Sequence, residues 1–341
     1  MQNMTNLRKT SVWVIILAMI ALFIYTLLDV GTTGATPSDR LNTFTTRFLG
    51  IFIEAVPFLL LGSLFSGLIE VYIRREDLLR MLPKNPLLAT MSGAMMGFVF
   101  PACECGVVPV TRRLFTKGLP MSVGISFLLA APVMNPIVLA STIIAFGWGE
   151  IVILRFVITL FVAVSVGMLF AFAARPHETL LPVSFAPVRG GNYGIQAPTP
   201  QNSGLGANLY RALRVASDEF FEMGRFLIIG SLLAAWMQTR VSQGDLLGIG
   251  SGVFVSVLVM QAFAFVLSLC STVDAFVALS FLNTFSTGSL VAFLTFGPMV
   301  DIKSAMMFSG VFKKKIVAYL VILPFLMTLF IGLWINIWMM R

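Results

Sequence analysis

Residues 100–110 read FPACECGVVPV. Two cysteines flank a glutamate, and prolines and a glycine stand around them, inside a long apolar stretch. Proline removes a backbone donor and glycine weakens a helix, so the segment predicts a turn and not a straight crossing. Whether the chain around it can enclose such a turn within a membrane decides the fold.

The surroundings are those of a membrane protein. Of 341 residues, 58% are hydrophobic and 11% charged, against roughly 25% charged in a soluble domain. About 20 apolar residues span a bilayer as helix. Such runs lie near 12–30, 48–69, 87–103, 119–146, 150–174, 219–239, 246–270, 288–309 and 316–340. They are not the short alternating segments of a β-barrel. The expected class is an all-α polytopic membrane protein, with the lipid bilayer as its first partner. A net charge of +8 fits the positive-inside rule, so no nucleic-acid partner is expected. Three cysteines make no disulfide framework. No phosphate-binding G-x-x-x-x-G-K-[ST] loop is present, so ATP hydrolysis on this chain and a bound cofactor are not expected. The first run follows Arg8 and Lys9 without a cleavage site, and predicts a retained anchor.

The chain also carries a repeat. GIFIEAVPFLLLGSL (50–64) matches EFFEMGRFLIIGSLL (219–233), aligning Glu54 with Glu222, Phe58 with Phe226 and Gly62-Ser63 with Gly230-Ser231. FLLAAPVMNP (127–136) matches FLTFGPMVDI (293–302), aligning Pro132 with Pro298 and Asn135 with Asp301. Between these landmarks PACECG stands in one half and LCSTVD in the other. Internal repeats are characteristic of secondary transporters. The expected organisation is an anchor helix and external loop (1–46), a first repeat (47–174), a cytoplasmic Pro/Gly-rich linker (175–211) and a second repeat (212–341). The linker holds His177, the single histidine, which is expected to be solvated.

Positive charge sets the orientation. If every run spanned fully, Arg112, Arg113 and Lys117 would lie outside. If 87–117 is instead a re-entrant hairpin turning near PACECG, they return to the cytoplasm together with the linker. A matching hairpin at 246–285, entering from the other side, leaves Lys313, Lys314 and Lys315 inside, with Arg240 the exception. The halves then have inverted topology, with two re-entrant hairpins and Pro-broken helices. Irregular backbone at membrane depth survives only when enclosed by protein or lining a watery cavity, so the hairpin tips are expected near the centre. The run 87–103 is also long enough to cross most of a bilayer.

Candidate site residues follow. Pro132 and Pro136 around Asn135, and Gly297 and Pro298 before Asp301, predict discontinuous helices around a site. An ionised carboxylate in an apolar run costs about 2.5–3.5 kcal/mol on insertion scales. Glu54 and Glu222 are therefore proton-coupling candidates, with Arg225 a same-helix partner for Glu222. Asp274, Asp301 and Lys303 are similar but less central. Arg155 is expected to snorkel. Cys103 and Cys105 flank Glu104, and thiolates select soft ions. With Cys270 in the mirrored hairpin, three sulfurs could converge on a metalloid. The expected substrate-binding set is thus Cys103, Glu104, Cys105, Asn135, Cys270, Asp274 and Asp301. Gly93-A-M-M-Gly97 and Gly62-x-x-x-Ser66 predict close helix packing.

FVFPACECGVVPVTRRL, followed by GLPMSVGISFLLAAPVMNPIVLAST, resembles the ArsP/YraQ-type predicted permeases of bacteria, as do CSTVDAFVA and GPMVDIKS. The resemblance covers nearly the whole chain beyond the first anchor. It implies a multi-pass permease of the inner (plasma) membrane. Characterised relatives are similar to efflux permeases for trivalent organoarsenicals, a role that would fall on Cys103 and Cys105. The expected function is therefore secondary, proton-coupled export of a soft, thiol-reactive small molecule or metalloid, such as trivalent organoarsenicals or arsenite, with no enzymatic activity and with homo-oligomerisation left open. The alternatives are transport of another solute such as a sulfur-containing anion, a passive channel, or a membrane thiol oxidoreductase using Cys103 and Cys105.

Overall fold

The computed structural model describes residues 37–80, 82–100, 103–173, 205–240, 252–282 and 284–339. The expected anchor at 12–30, Pro101, and residues 175–204 of the expected linker, with His177, lie outside the described residues. The protein is an all-α polytopic membrane protein. Five helical segments among the described residues are long and apolar enough to cross a bilayer: Leu41–Tyr72, Glu150–Phe172, Gly206–Thr239, Thr287–Val311 and Lys314–Trp338.

The first half comprises α1 (Pro37–Tyr72), the short α2 (Arg75–Arg80), α3 (Pro86–Val99), α4 (Glu104–Thr116), α5 (Met121–Ala130), α6 (Pro136–Phe146) and α7 (Glu150–Ala173). The second comprises α8 (Leu205–Arg240), α9 (Val253–Leu267), α10 (Asp274–Ser280), α11 (Thr287–Met299), α12 (Ile302–Val311) and α13 (Lys314–Met339). Two expected boundaries move. Residues 37–46, expected in an external loop, form the first turns of α1, and 205–211, expected in the linker, form the first turns of α8. Polar turns extend both long helices beyond their apolar runs.

The halves are built alike. In each, a long helix is followed by two hairpin arms, a broken helix and a final long one, the first half adding the six-residue α2 before its arms. The packing repeats too: α3 lies on α5 and α7, and α5 on α7; α9 lies on α11 and α13, and α11 on α13. The counterparts α1 and α8 pack along much of their length and run antiparallel. Gly67 of α1 lies against the backbone of Ala212, Ser66 meets Glu219, and the Arg47 guanidinium donates to the Gln238 carbonyl.

Small residues set the close approaches. A Cβ on Gly62 would collide with the backbone of Gly106, one on Gly93 with the Val123 backbone, and one on Gly97 with Ala131. The pairs expected to pack closely do so.

The segment 86–117 starts and finishes at one end of the molecule. It begins five residues after α2, and at its finish Lys117 donates to the Glu70 carbonyl (2.7 Å) near the C-terminus of α1. Its arms are short: 14 residues for α3 make roughly 21 Å of helix, less than the ~30 Å hydrocarbon core. Phe100, where α3 ends, packs on Phe65 of α1, and Cys103, just before α4, is buried. The second pair behaves the same way. Ser256, in the first turn of α9, hydrogen-bonds Ser289, in the first turn of α11.

Candidate functional site

Four short helices begin inside the bundle, each for a local reason. At α6, Asn135 is the N-cap, its side chain accepting from the Ile137 amide (2.9 Å), and Pro136 occupies the first helical position, where a missing N–H is harmless. At α12, Asp301 is the N-cap: its Oδ1 accepts from the Ser304 amide (2.6 Å), and the Asp301 amide donates to the Ser304 hydroxyl (2.9 Å). The aligned pair Asn135 and Asp301 thus caps the second half of both broken helices. Cys103 precedes α4 in extended conformation, and α10 follows the turn that starts at Cys270.

Each hairpin's second arm packs against the broken helix of the other half: α4 on α12, and α10 on α6. An ion pair stands at each junction. Glu104, the first residue of α4, has its Oε1 3.3 Å from the Lys303 ammonium, which also lies 3.6 Å from Asp301 Oδ2. Asp274, the first residue of α10, has its Oδ2 2.7 Å from the Arg155 guanidinium. Arg155 also donates to the Thr142 hydroxyl of α6 (2.9 Å) and the Ser271 carbonyl (3.3 Å). All five charged residues are buried. The acids gain from their place at helix N-termini. Lys303 sits unfavourably in the first turn of α12, and two carboxylates offset that. Glu104 Oε2, Asp274 Oδ1 and Asp301 Oδ2 have no hydrogen-bond partner among the described residues, which leaves acceptor capacity at the centre.

The thiols are part of this cluster. Cys103, Cys105 and Cys270 are buried and free. Cys103 and Cys105 are in side-chain contact across the start of α4, within electrostatic range of Lys303. Cys270 is in range of Cys103 and Glu104. Five of the seven expected binding residues, Cys103, Glu104, Cys105, Cys270 and Asp301, therefore gather about the first junction, and Asp274 stands at the second, within electrostatic range of Glu104. Asn135 is tied to the second junction through α6. No three His, Cys, Asp or Glu side chains among the described residues are disposed to hold a metal ion, so the three-sulfur ligand set is not assembled in this conformation.

Three expectations change. Arg155 does not snorkel: it is fully enclosed and bound to Asp274. Asp274, Asp301 and Lys303 are central rather than peripheral. Glu222 is committed to Arg112 of α4 at 2.8 Å, and its contact with Arg225 is looser, at 3.8 Å. Glu54 is half-buried, with no ion pair or hydrogen bond among the described residues.

The sequence reading missed Glu219, one turn before Glu222. Glu219 is wholly enclosed and hydrogen-bonded to Ser66 of α1, with Arg113 of α4 at 3.6 Å. A signal existed. Ala212, Ala216, Glu219, Met223 and Leu227 recur at spacings of three and four, the stripe that a helix buries, and Glu222 lies off it. Arg155 likewise lies on the stripe of Val152, Ile158, Val162 and Val166.

The comparisons with known proteins agree with this architecture. The chain is 46% identical over 276 residues to the UPF0718 protein YcgR of Bacillus subtilis, covering 80% of this chain and 90% of that protein. It is 42% identical over 272 residues, 79% of this chain and 87% of the other, to a Streptococcus mutans protein whose name describes a two-component membrane permease complex subunit. It is 30% identical over 102 residues, 30% of this chain and 28% of the other, to the UPF0718 protein YraQ of Escherichia coli. No solved structure matches it. The family profile described as "Predicted permease" covers residues 40–337, and the chain belongs to this ArsP_1 family of permeases.

Proposed function

We propose that this permease is a secondary exporter of a soft, thiol-reactive solute, with trivalent organoarsenicals or arsenite as the leading cargo, driven by protons. The observation that carries the reading is the junction of α4 with α12: two free, buried thiols flank a carboxylate that reaches across to Lys303 in the other half. Sulfur donors suit soft cargo, and the open carboxylate oxygens beside them offer further acceptors. The antiparallel packing of the counterparts α1 and α8 supports an inverted relation between the halves. Arg75, Arg112, Arg113 and Lys117 gather at one end, which supports a cytoplasmic assignment for it. Alternating access then consists of one half rocking against the other about the central junctions. By likeness to the Streptococcus mutans relative, a second membrane component is part of the working complex.

Uptake of methylarsenite and arsenite into inverted vesicles tests this, with and without a pH gradient. Cys103→Ser and Cys105→Ser keep the volume but replace a soft donor with a hard one. Each should reduce uptake at least tenfold at equal protein level. Full uptake by the double serine variant would sink the thiol mechanism.

A second reading rests on Lys303. A buried ammonium beside two thiols suits a sulfur-containing anion that forms a transient adduct with Cys103 or Cys105. Thiosulfate competing with methylarsenite, or transported in its place, separates the two cargoes.

A further inference from the structure

We propose that Glu219 is the proton-binding carboxyl of this permease and that Ser66 relays its charge state to α4, the helix that carries the thiols. The inference deepens the proton-driven reading above and rests on it for the coupling step.

The argument starts from an uneven distribution of partners. Where α1, α4 and α8 meet, three carboxylates face Arg112, Arg113 and Lys117. Glu222 takes Arg112 at 2.8 Å. Glu70 takes Lys117, with Nζ 3.4 Å from its carboxylate and 2.7 Å from its carbonyl. Arg113 is divided, 3.5 Å from Glu70 and 3.6 Å from Glu219, both longer than a charge-assisted hydrogen bond of about 2.7–2.9 Å. Glu219 is the most deeply enclosed of the three acids and the least firmly paired. Among the described residues its Oε1 has no hydrogen-bond partner, and neither has Arg113 Nε. A carboxylate in this position is held as an anion by one shared cation and one hydroxyl. On taking a proton at Oε1 it becomes a weaker acceptor at Oε2 and loses its pull on Arg113.

The hydroxyl supplies the relay. Ser66 Oγ donates to Glu219 Oε2, and the Pro109 carbonyl of α4 stands 3.5 Å from the same oxygen. One hydroxyl proton cannot serve both acceptors fully. While Glu219 is charged, the carboxylate is the better acceptor. Once it is neutral, the hydroxyl turns to the Pro109 carbonyl and Arg113 is released toward Glu70. Both changes fall on α4. At the start of α4, about 14 Å from Arg113 and about 8 Å from Pro109 at 1.5 Å per residue, stand Cys103, Glu104 and Cys105. Gly62 against Gly106 lets α4 lie directly on α1, so a shift of α4 displaces the thiols relative to Lys303.

The other charged groups do not offer the same place. Arg112 and Glu222 lie within electrostatic range of Glu219 but bind each other. From α12, Lys303 faces Gly230, three turns along α8. The α9 segment VFVSVLVMQAFAFVL has no titratable side chain. Glu54 is nearer the surface and has no cation to report to.

The test is an infrared difference spectrum, acid minus neutral, of the full chain in liposomes. Protonation of an enclosed carboxylate produces a carboxylic C=O band. The band should be lost in Glu219→Gln and kept in Glu54→Gln and Glu222→Gln. Glu219→Asp, the variant that retains a carboxyl should Gln disturb folding, should shift the band. Ser66→Ala should keep the band while abolishing the stimulation of methylarsenite uptake by a pH gradient. A band unchanged in both Glu219 variants overturns the inference, whatever the transport result. Wild-type liposomes that show the band but move no cargo with the gradient overturn the transport reading and leave the proton site standing.

Discussion

The junction between α10, α6 and α7 makes a prediction whose size can be worked from its geometry. Arg155 and Asp274 stand 2.7 Å apart, both buried. At an effective dielectric constant near 20, two unit charges at that distance attract by about 6 kcal/mol before desolvation is counted. Desolvation removes most of that gain, yet deleting one partner leaves the other charge enclosed and unmatched, at a cost of about 3–5 kcal/mol. Asp274→Asn should fall at the lower end, because Arg155 keeps Thr142 and the Ser271 carbonyl. Arg155→Met should fall at the upper end, since it strands the carboxylate and that carbonyl together. The double variant should be less damaged than the two losses summed, with a coupling of roughly 2–3 kcal/mol. The assay is thermal unfolding of the four proteins in one detergent, where 3 kcal/mol corresponds to about 4 °C for a chain of this length. Additive losses, with no recovery in the double variant, would refute the claim that these charges stabilise the fold mainly through each other.

Three further outcomes are expected. In a cysteine-free background, Lys117→Cys and Thr284→Cys should label from opposite faces of the membrane, the first resisting an impermeant thiol reagent in intact cells; labelling of both from outside contradicts the hairpin arrangement. Gly62→Val should lower stability by several kcal/mol by driving α4 off α1, and Gly288→Val should do the same by displacing Asn336, whose Oδ1 accepts the Gly288 amide (2.9 Å); wild-type melting of either would show that these approaches tolerate side chains. Lys303→Met should abolish transport and destabilise by about 3–5 kcal/mol, while Glu104→Gln with Lys303→Met should recover stability without recovering transport, so restored transport in that pair would remove the junction from the mechanism.

What could be seen in the sequence follows from what local chemistry determines. Helix breaks are local: Asn135-Pro136 and Asp301 announce N-caps, and both were found where alignment placed them. Apolar runs and short arms are local too, so the long helices and the hairpins were visible. The ion pairs are not. Glu104 and Lys303 are 199 residues apart and Arg155 and Asp274 119, and no spacing rule joins residues on different helices. Helix rotation was the missed intermediate. Glu219 and Glu222 sit in one apolar run, and hydropathy treats them alike. The three-and-four spacing of Ala212, Ala216 and Met223 separates them and puts Glu219 inside. Without that step Glu222 looked like the buried acid, and Arg155 looked like a surface cation.

The placement of the buried charges bears on why they exist. Glu104 cannot be paired until α12 is in place, and Asp274 lies three helices beyond its partner Arg155. Neither half can neutralise its hairpin acid from its own hairpin. During insertion Glu104 and Arg155 each enter an apolar surrounding before their partners, at a cost of about 2.5–3.5 kcal/mol on insertion scales. An apolar pair of similar volume would avoid that cost, and such replacements are often neutral or stabilising. Stability alone therefore does not account for these residues. Both pairs join a hairpin arm to a helix that starts at a break, where backbone can bend without losing a regular ladder. Both leave carboxylate oxygens open. A contact that is strong when closed and solvatable when parted suits a surface that must separate and rejoin, which an interdigitated apolar contact does not. Under the alternating access proposed above, the two junctions are the places where the halves of this permease separate.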